Sequence, residues 1–164
     1  MNNKIVITND GSHSLFNPEI NETYHSKHGA IVEAEHVFIK NGFSKANKNE
    51  LNILEIGFGT GLNALLTSQK AVQKSITVNY HTMELYPVPK ENYTQLNFTD
   101  LIGLEKESLL NLHETPWEEE CKINEFFTLN KSKSDLVNYT SNTKFDIIYF
   151  DAFSPEKQPE LWTA

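Results

Sequence analysis

Apolar residues recur along the chain in short runs whose period changes at each glycine or polar cluster. The sharpest change follows Leu51, Ile53, Leu54 and Ile56, a buried-strand pattern that runs straight into Gly57, Gly59 and Gly61. Leu62, Ala64, Leu65 and Leu66 come next and open a helix over about 63–72. Upstream, residues 4–8 read as a strand, Asn9-Asp10-Gly11-Ser12 as a turn, and Ser14-Leu15-Phe16 as a return strand, a small hairpin before Pro18. Ile31, Ala34, Val37 and Phe38 fall at helical spacing over 30–39, and Asn41-Gly42 ends the run. A polar Lys/Asn-rich loop covers 44–50.

Downstream, Ile76, Val78 and Tyr80 alternate with polar residues and predict a second sheet strand over 76–84. Two short helices are expected at 91–98 and 105–112, then an acidic loop opened by Thr115-Pro116-Trp117, with Glu118-Glu119-Glu120 as a solvated face. A third strand is expected at 125–130 and a fourth at 145–150, ended by Asp151. Alternation of this kind implies right-handed crossovers and an α/β fold: a Rossmann-like sheet, mainly parallel, with helices on both faces. Residues 1–45 form an N-terminal hairpin-and-helix extension and 51–164 a nucleotide-binding core, together one domain.

Composition narrows this picture. The 164 residues are 38% hydrophobic and 11% aromatic, enough for one packed domain. No apolar run approaches the roughly 20 residues that span a bilayer, and a single cysteine, Cys121, allows no internal disulfide. A cytoplasmic protein without a membrane partner is expected. The net charge of −8 argues against broad nucleic-acid binding, although Lys27, Lys40, Lys45 and Lys48 could form a local basic patch.

The glycine spacing carries the first chemical signal. A dinucleotide loop reads Gly-x-Gly-x-x-Gly, whereas here the third glycine arrives one residue early and Leu62 stands in its place. Glu55 precedes the run by two positions, and Glu-x-Gly-x-Gly-x-Gly resembles the first motif of Rossmann-like S-adenosylmethionine-dependent methyltransferases. An acidic residue suits a sulfonium and an ammonium better than a pyrophosphate. A tight turn without a ligand, or a dinucleotide-dependent oxidoreductase, are the alternatives. The motif residues Glu55, Gly57, Phe58, Gly59, Thr60, Gly61 and Asn63 are the cofactor-binding candidates.

Ligands of open α/β sheets lie beyond the carboxyl ends of the strands, and three of those ends carry acids. Glu84 closes the second strand and is placed to accept both hydroxyls of a ribose, the alternative being a solvated charge. Asp135 follows the third strand and either accepts the adenine amino group or serves the loop alone. Asp151 ends the fourth, facing both the methionine part of the cofactor and an incoming substrate. His25, His28 and His36 lack metal-ligand spacing, so no metal is expected, while His13, His81 and His113 read as ordinary surface or strand residues.

Three segments together resemble the methyltransferase domain of the MnmC-like enzymes: Glu55 to Asn63, Tyr149-Phe150-Asp151-Ala152-Phe153-Ser154-Pro155 through Pro159-Glu160-Leu161-Trp162, and Asn21 to Ser26 with Glu35 to Phe38. The resemblance covers about residues 10–164. It implies methyl transfer from S-adenosylmethionine to the aminomethyl group of a modified wobble uridine in tRNA, with a separate oxidoreductase acting earlier in the pathway. Asp151 would orient the amine and help it shed a proton, Phe153 and Pro155 would shape the slot for the base, and Tyr24, His25 and Ser26 would lid the cofactor. Asp151 or Ser154 could instead cap a helix. A sheet of this class has about seven strands, so a C-terminal truncation is expected, with 159–164 opening a further helix, the fourth strand an exposed edge, and a non-catalytic remnant the alternative to an enzyme.

Overall fold

The structure is a computed structural model that describes residues 3–162. A small antiparallel sheet of β1 (Lys4–Ile7), β2 (His13–Asn17) and β3 (Glu22–Thr23) comes first. Its turn does more than reverse the chain. Asp10 accepts the Val32 backbone N–H at 3.0 Å and Ser12 Oγ accepts that of Ala30 at 3.1 Å. The turn therefore caps α1 (Ala30–Ala34) from twenty positions away, satisfying N–H groups that its own N-cap, Gly29, has no side chain to reach. Beyond α1 the chain continues as a π-helical stretch, Glu35–Lys40, that packs Phe38 against Tyr149 with centroids 5.2 Å apart.

The main sheet contains β4 (Glu50–Ile56), β5 (Thr77–Met83), β6 (Glu120–Asn124), β7 (Phe127–Ser132) and β8 (Ile147–Phe150), in the order β6-β7-β5-β4-β8. All pairings are parallel except β6 with β7. β4 sits between β5 and β8, so the chain leaves it in opposite directions on either side, and a crevice opens where those connections part. Helix α2 (Leu62–Lys74) crosses from β4 to β5; α3 (Lys90–Tyr93), α4 (Phe98–Ile102) and α5 (Glu107–Glu114) connect β5 to β6.

Alternation along the strands sorts two cores. Leu51 and Ile53 of β4, Val78 and Tyr80 of β5, Phe127 and Leu129 of β7 and Tyr149 of β8 face the helices. Leu54, Ile56 and Met83 face the other way, covered by Leu136, Tyr139, Phe145 and Phe150. The mainly parallel Rossmann-like sheet is as expected, but among the described residues that second face is covered by the 133–146 segment rather than a helix. Its middle is polar, with Asn79 donating to Asn52 at 3.1 Å.

Three local expectations change. The helix expected over 91–98 splits into α3 and α4, because Asn97 spends its side chain on Gly11 and His13 rather than on a helical turn. The acidic stretch at 118–120 ends in a strand: Glu118 N–H donates to the Lys131 carbonyl at 2.7 Å, which steers Glu120 into β6. The third strand runs two residues later than predicted and ends on Lys131 and Ser132. Ile148 on β8, the edge strand, is exposed as expected.

Phe127 is fully buried with its ring 5.2 Å from that of Tyr80, so Phe127→Ala should lose about 3–5 kcal/mol in urea unfolding. A loss below about 1 kcal/mol would place this ring outside the core.

Candidate active site

At the carboxyl ends of β4, β5, β7 and β8 lies a cavity of about 400 Å³. The N-terminal segment Glu22–Ser26 and Glu33 of α1 form one wall, the glycine loop the floor, and 84–86 with 134–137 the opposite wall. Residues 151–154 close the side next to β8.

The floor is built from unusual backbone. Gly57, Gly59 and Gly61 all have positive φ, at 92°, 49° and 76°. At Gly57 a side chain is also excluded by contact: an added Cβ would lie 2.5 Å from the Asp151 carbonyl oxygen. Gly57 and Phe58 donate to the Met83 carbonyl at 3.0 and 3.1 Å, and Gly59 donates to Glu84 Oε2 at 3.0 Å. The loop is thus stitched to the end of β5 by backbone and carboxylate alike.

The carboxylates differ in their surroundings. Glu84 also accepts the Tyr86 N–H at 2.9 Å, and burial raises its pKa against those two bonds. Asp151 accepts the Asn63 amide at 2.7 Å, and burial pushes its pKa up to about 7, with Glu33 and Glu84 adding repulsion. Glu55 lies beneath the floor, fully buried, with the Thr82 hydroxyl donating to it at 2.7 Å. Burial pushes it up to about 8. Among the described residues no lysine lines the cavity, and the sequence contains no arginine.

The family described as S-adenosyl-L-methionine-dependent methyltransferase matches residues 112–164. A tRNA 5-methylaminomethyl-2-thiouridine biosynthesis bifunctional protein MnmC from Cupriavidus metallidurans is 28% identical over 96% of the chain, and one from Leptospira interrogans is 30% identical over 88%. The crystal structure of MNMC2 from Aquifex aeolicus superposes with a TM-score of 0.73 and 30% identity, covering 98% of this chain and 53% of that one. The chain is an MnmC-like methyltransferase domain. It spans about a quarter of the length of these curated relatives and about half of that solved chain.

S-adenosylmethionine is the cofactor of this class, and the MnmC-like site fits it. A cavity walled by Glu33, Glu84, Asp135 and Asp151 favours a cation over a pyrophosphate. Of the residues singled out from sequence, Gly57, Phe58, Gly59, Thr60, Asn63, Glu84, Asp135, Asp151 and Phe153 line the cavity, with Tyr24, His25 and Ser26 beside them. Glu55, Gly61 and Pro155 do not. Glu55 points from β4 into the protein, Gly61 packs under the loop against His113, and Pro155 is exposed in a turn closed by Lys157 and Gln158 onto the Ser154 carbonyl. Gln158 lines the cavity instead, its side-chain oxygen accepting the Phe153 N–H at 3.0 Å. Asp151 caps no helix. Lys27, Lys40, Lys45 and Lys48 all lie off the cavity, and Lys48 is ion-paired with Asp146.

Three residues escaped sequence reading. His113 is half-buried at the end of α5 and donates to the Thr60 carbonyl at 2.9 Å. Lys131 is fully buried on β7, where its ammonium donates to the Leu112 and His113 carbonyls at 2.9 and 2.7 Å. Glu33, on the exposed side of an amphipathic pattern, turns out to face the cavity and accepts the Ser26 N–H at 2.8 Å.

The raised carboxyls set a pH dependence. An acid whose folded pKa exceeds its unfolded value binds more protons when folded, so stability falls as pH rises between the two. Glu55, at about 8 against 4.5, does this up to pH 8, whereas His25 and His113, lowered by desolvation to about 4 from 6.5, act in the opposite sense only below 6.5. Melting temperature should therefore fall from pH 6.5 to 8 and fall less in Glu55→Gln; equal slopes in the two proteins would show Glu55 to be ionised in the folded state.

Proposed function

We propose that this chain transfers a methyl group from S-adenosylmethionine to the aminomethyl nitrogen of a modified wobble uridine in tRNA. The names of the curated relatives support the substrate, and the position of Asp151 carries the chemistry. Its carboxylate stands at the end of β8 with one oxygen fixed by Asn63, and its pKa near 7 lets it exchange a proton at neutral pH.

When bound, S-adenosylmethionine supplies an electrophilic methyl group on a cationic sulfur. Glu84 would accept the ribose hydroxyls through lone pairs left free by Gly59 and Tyr86. Asp135 uses Oδ1 to accept both the backbone N–H and the side-chain amide of Asn138, each at 2.8 Å, so Oδ2 is the oxygen proposed for the adenine amino group. Gly57, Phe58, Gly59, Thr60 and Asn63 would line the amino-acid end.

An alkylamine reaches the site largely as an ammonium and cannot attack in that state. Asp151 would attract it, accept one proton on its carboxylate and leave the nitrogen lone pair free to take the methyl group from sulfur. The slot above is framed by Phe153 and Tyr24, in edge contact at 5.1 Å, and held by Ser154 Oγ donating to Glu22 at 3.2 Å. Alignment and exclusion of water supply most of the rate gain. The nucleic acid itself would meet lysines outside the cavity, and an oxidoreductase, on a separate chain or domain, would act earlier on the same uridine. In this reading the N-terminal extension, through residues 22–26 and Glu33, walls one side of the core's cavity.

Incubation with labelled S-adenosylmethionine and tRNA bearing the aminomethyl uridine should label the RNA. The rate should rise with pH through about 7 and drop about 100-fold or more in Asp151→Asn, with S-adenosylhomocysteine affinity changed less than about threefold. Full turnover by Asp151→Asn would remove the carboxylate from the mechanism.

A further inference from the structure

Thr60, in the middle of the glycine loop, is gripped by two half-buried imidazoles from different parts of the fold. His25 meets its hydroxyl, Nε2 to Oγ1 at 3.3 Å, and is itself set by Ser14 Oγ at 3.0 Å from Nδ1. His113 Nε2 donates to its carbonyl at 2.9 Å. His25 lines the cavity and His113 does not.

The His113 ring has little freedom. It stacks on Tyr93 with centroids 4.2 Å apart and planes 10° from parallel, and its edge meets Phe58 at 5.1 Å. Its own carbonyl is fixed by Lys131 at 2.7 Å, and that ammonium lies 4.7 Å from the Trp117 ring centre. The imidazole is thus held by α3, α5, β7 and the loop it serves. The Thr60 peptide, by contrast, lies beyond the bonds that stitch residues 57–59 to β5. A peptide flanked by Gly59 and Gly61 can turn its carbonyl to either side, and the entropy of that freedom opposes any ligand that needs one orientation. An anchor from a rigid element removes the alternatives before a ligand arrives.

We propose that His113 is a positioning residue for methyl-donor binding: its ring N–H holds the Thr60 carbonyl and so sets the glycine loop in the shape the donor requires. This rests on the proposed function, in which that loop takes the donor's amino-acid end. His113 touches neither donor nor acceptor and acts only through Thr60.

The test uses the full chain, calorimetric titration with S-adenosylhomocysteine, and amide exchange at Gly61, whose N–H donates to the Phe58 carbonyl at 2.9 Å. His113→Phe keeps an aromatic ring against Tyr93 but has no donor. It should weaken S-adenosylhomocysteine about tenfold and speed Gly61 exchange by a similar factor. His113→Gln, whose amide can reach the same carbonyl, should recover both to within about threefold of wild type. Should His113→Phe fail to fold, His113→Asn, too short to reach, takes its place with the same expectations. Unchanged affinity in the donor-less variant, or equal losses in the Phe (or Asn) and Gln variants, would overturn the inference. If wild type binds no S-adenosylhomocysteine, the methyltransferase reading of the site fails, while the exchange data still decide whether His113 orders the loop.

Discussion

The carbonyl of Asp151 passes so close to Gly57 that a methyl group there would sit 2.5 Å from its oxygen. That approach is the constraint on which the site depends. It follows from β4 and β8 lying side by side and parallel up to the pairing of Ile56 with Phe150. Where the two strands end, β4 turns into the loop and α2 while β8 turns toward 151–154, and Asp151 comes within reach of Asn63 on the first turn of α2. A side chain at position 57 would push the two apart and leave both polar groups without each other.

Around that contact the fold assembles negative charge, and among the described residues no lysine stands in the wall. Glu84 and Asp151 are kept near their places by backbone and amide donors, while burial makes their ionised forms expensive. Glu55 adds a carboxyl one layer below, and that one is fully buried. Such a site gains from a ligand bearing positive charge on both sulfur and nitrogen. Lys131, a fully buried cation, points the other way, into the last carbonyls of α5, where it complements the helix terminus instead of neutralising the cavity. Charge therefore separates the ligand site from the scaffold that supports it.

Much of this was legible in the sequence because it depends on local rules. The strand at Leu51–Ile56, the glycine register and the acids at strand ends follow from periodicity and from where open sheets bind ligands. What was not legible depends on long-range packing. His113 reads as an ordinary surface or strand residue until Tyr93 is seen to stack on its ring and Lys131 to hold its carbonyl. Glu55 reads as a cofactor contact because it belongs to the motif, yet strand alternation turns it inward, away from the cavity. Pro155 shares a distinctive segment with Phe153 but falls on the outside of a turn, and β6 carries too few apolar residues to show as a strand before its pairing with β7 is known.

Calorimetric titration of the unmodified chain with S-adenosylmethionine and with NAD, under the same conditions, bears most directly on the claim that the cavity is built for a cationic nucleoside. Saturable binding of S-adenosylmethionine with release of protons near pH 7, and no heat from NAD, is the predicted result. Binding of NAD, or of neither compound by a cooperatively folded chain, would contradict it.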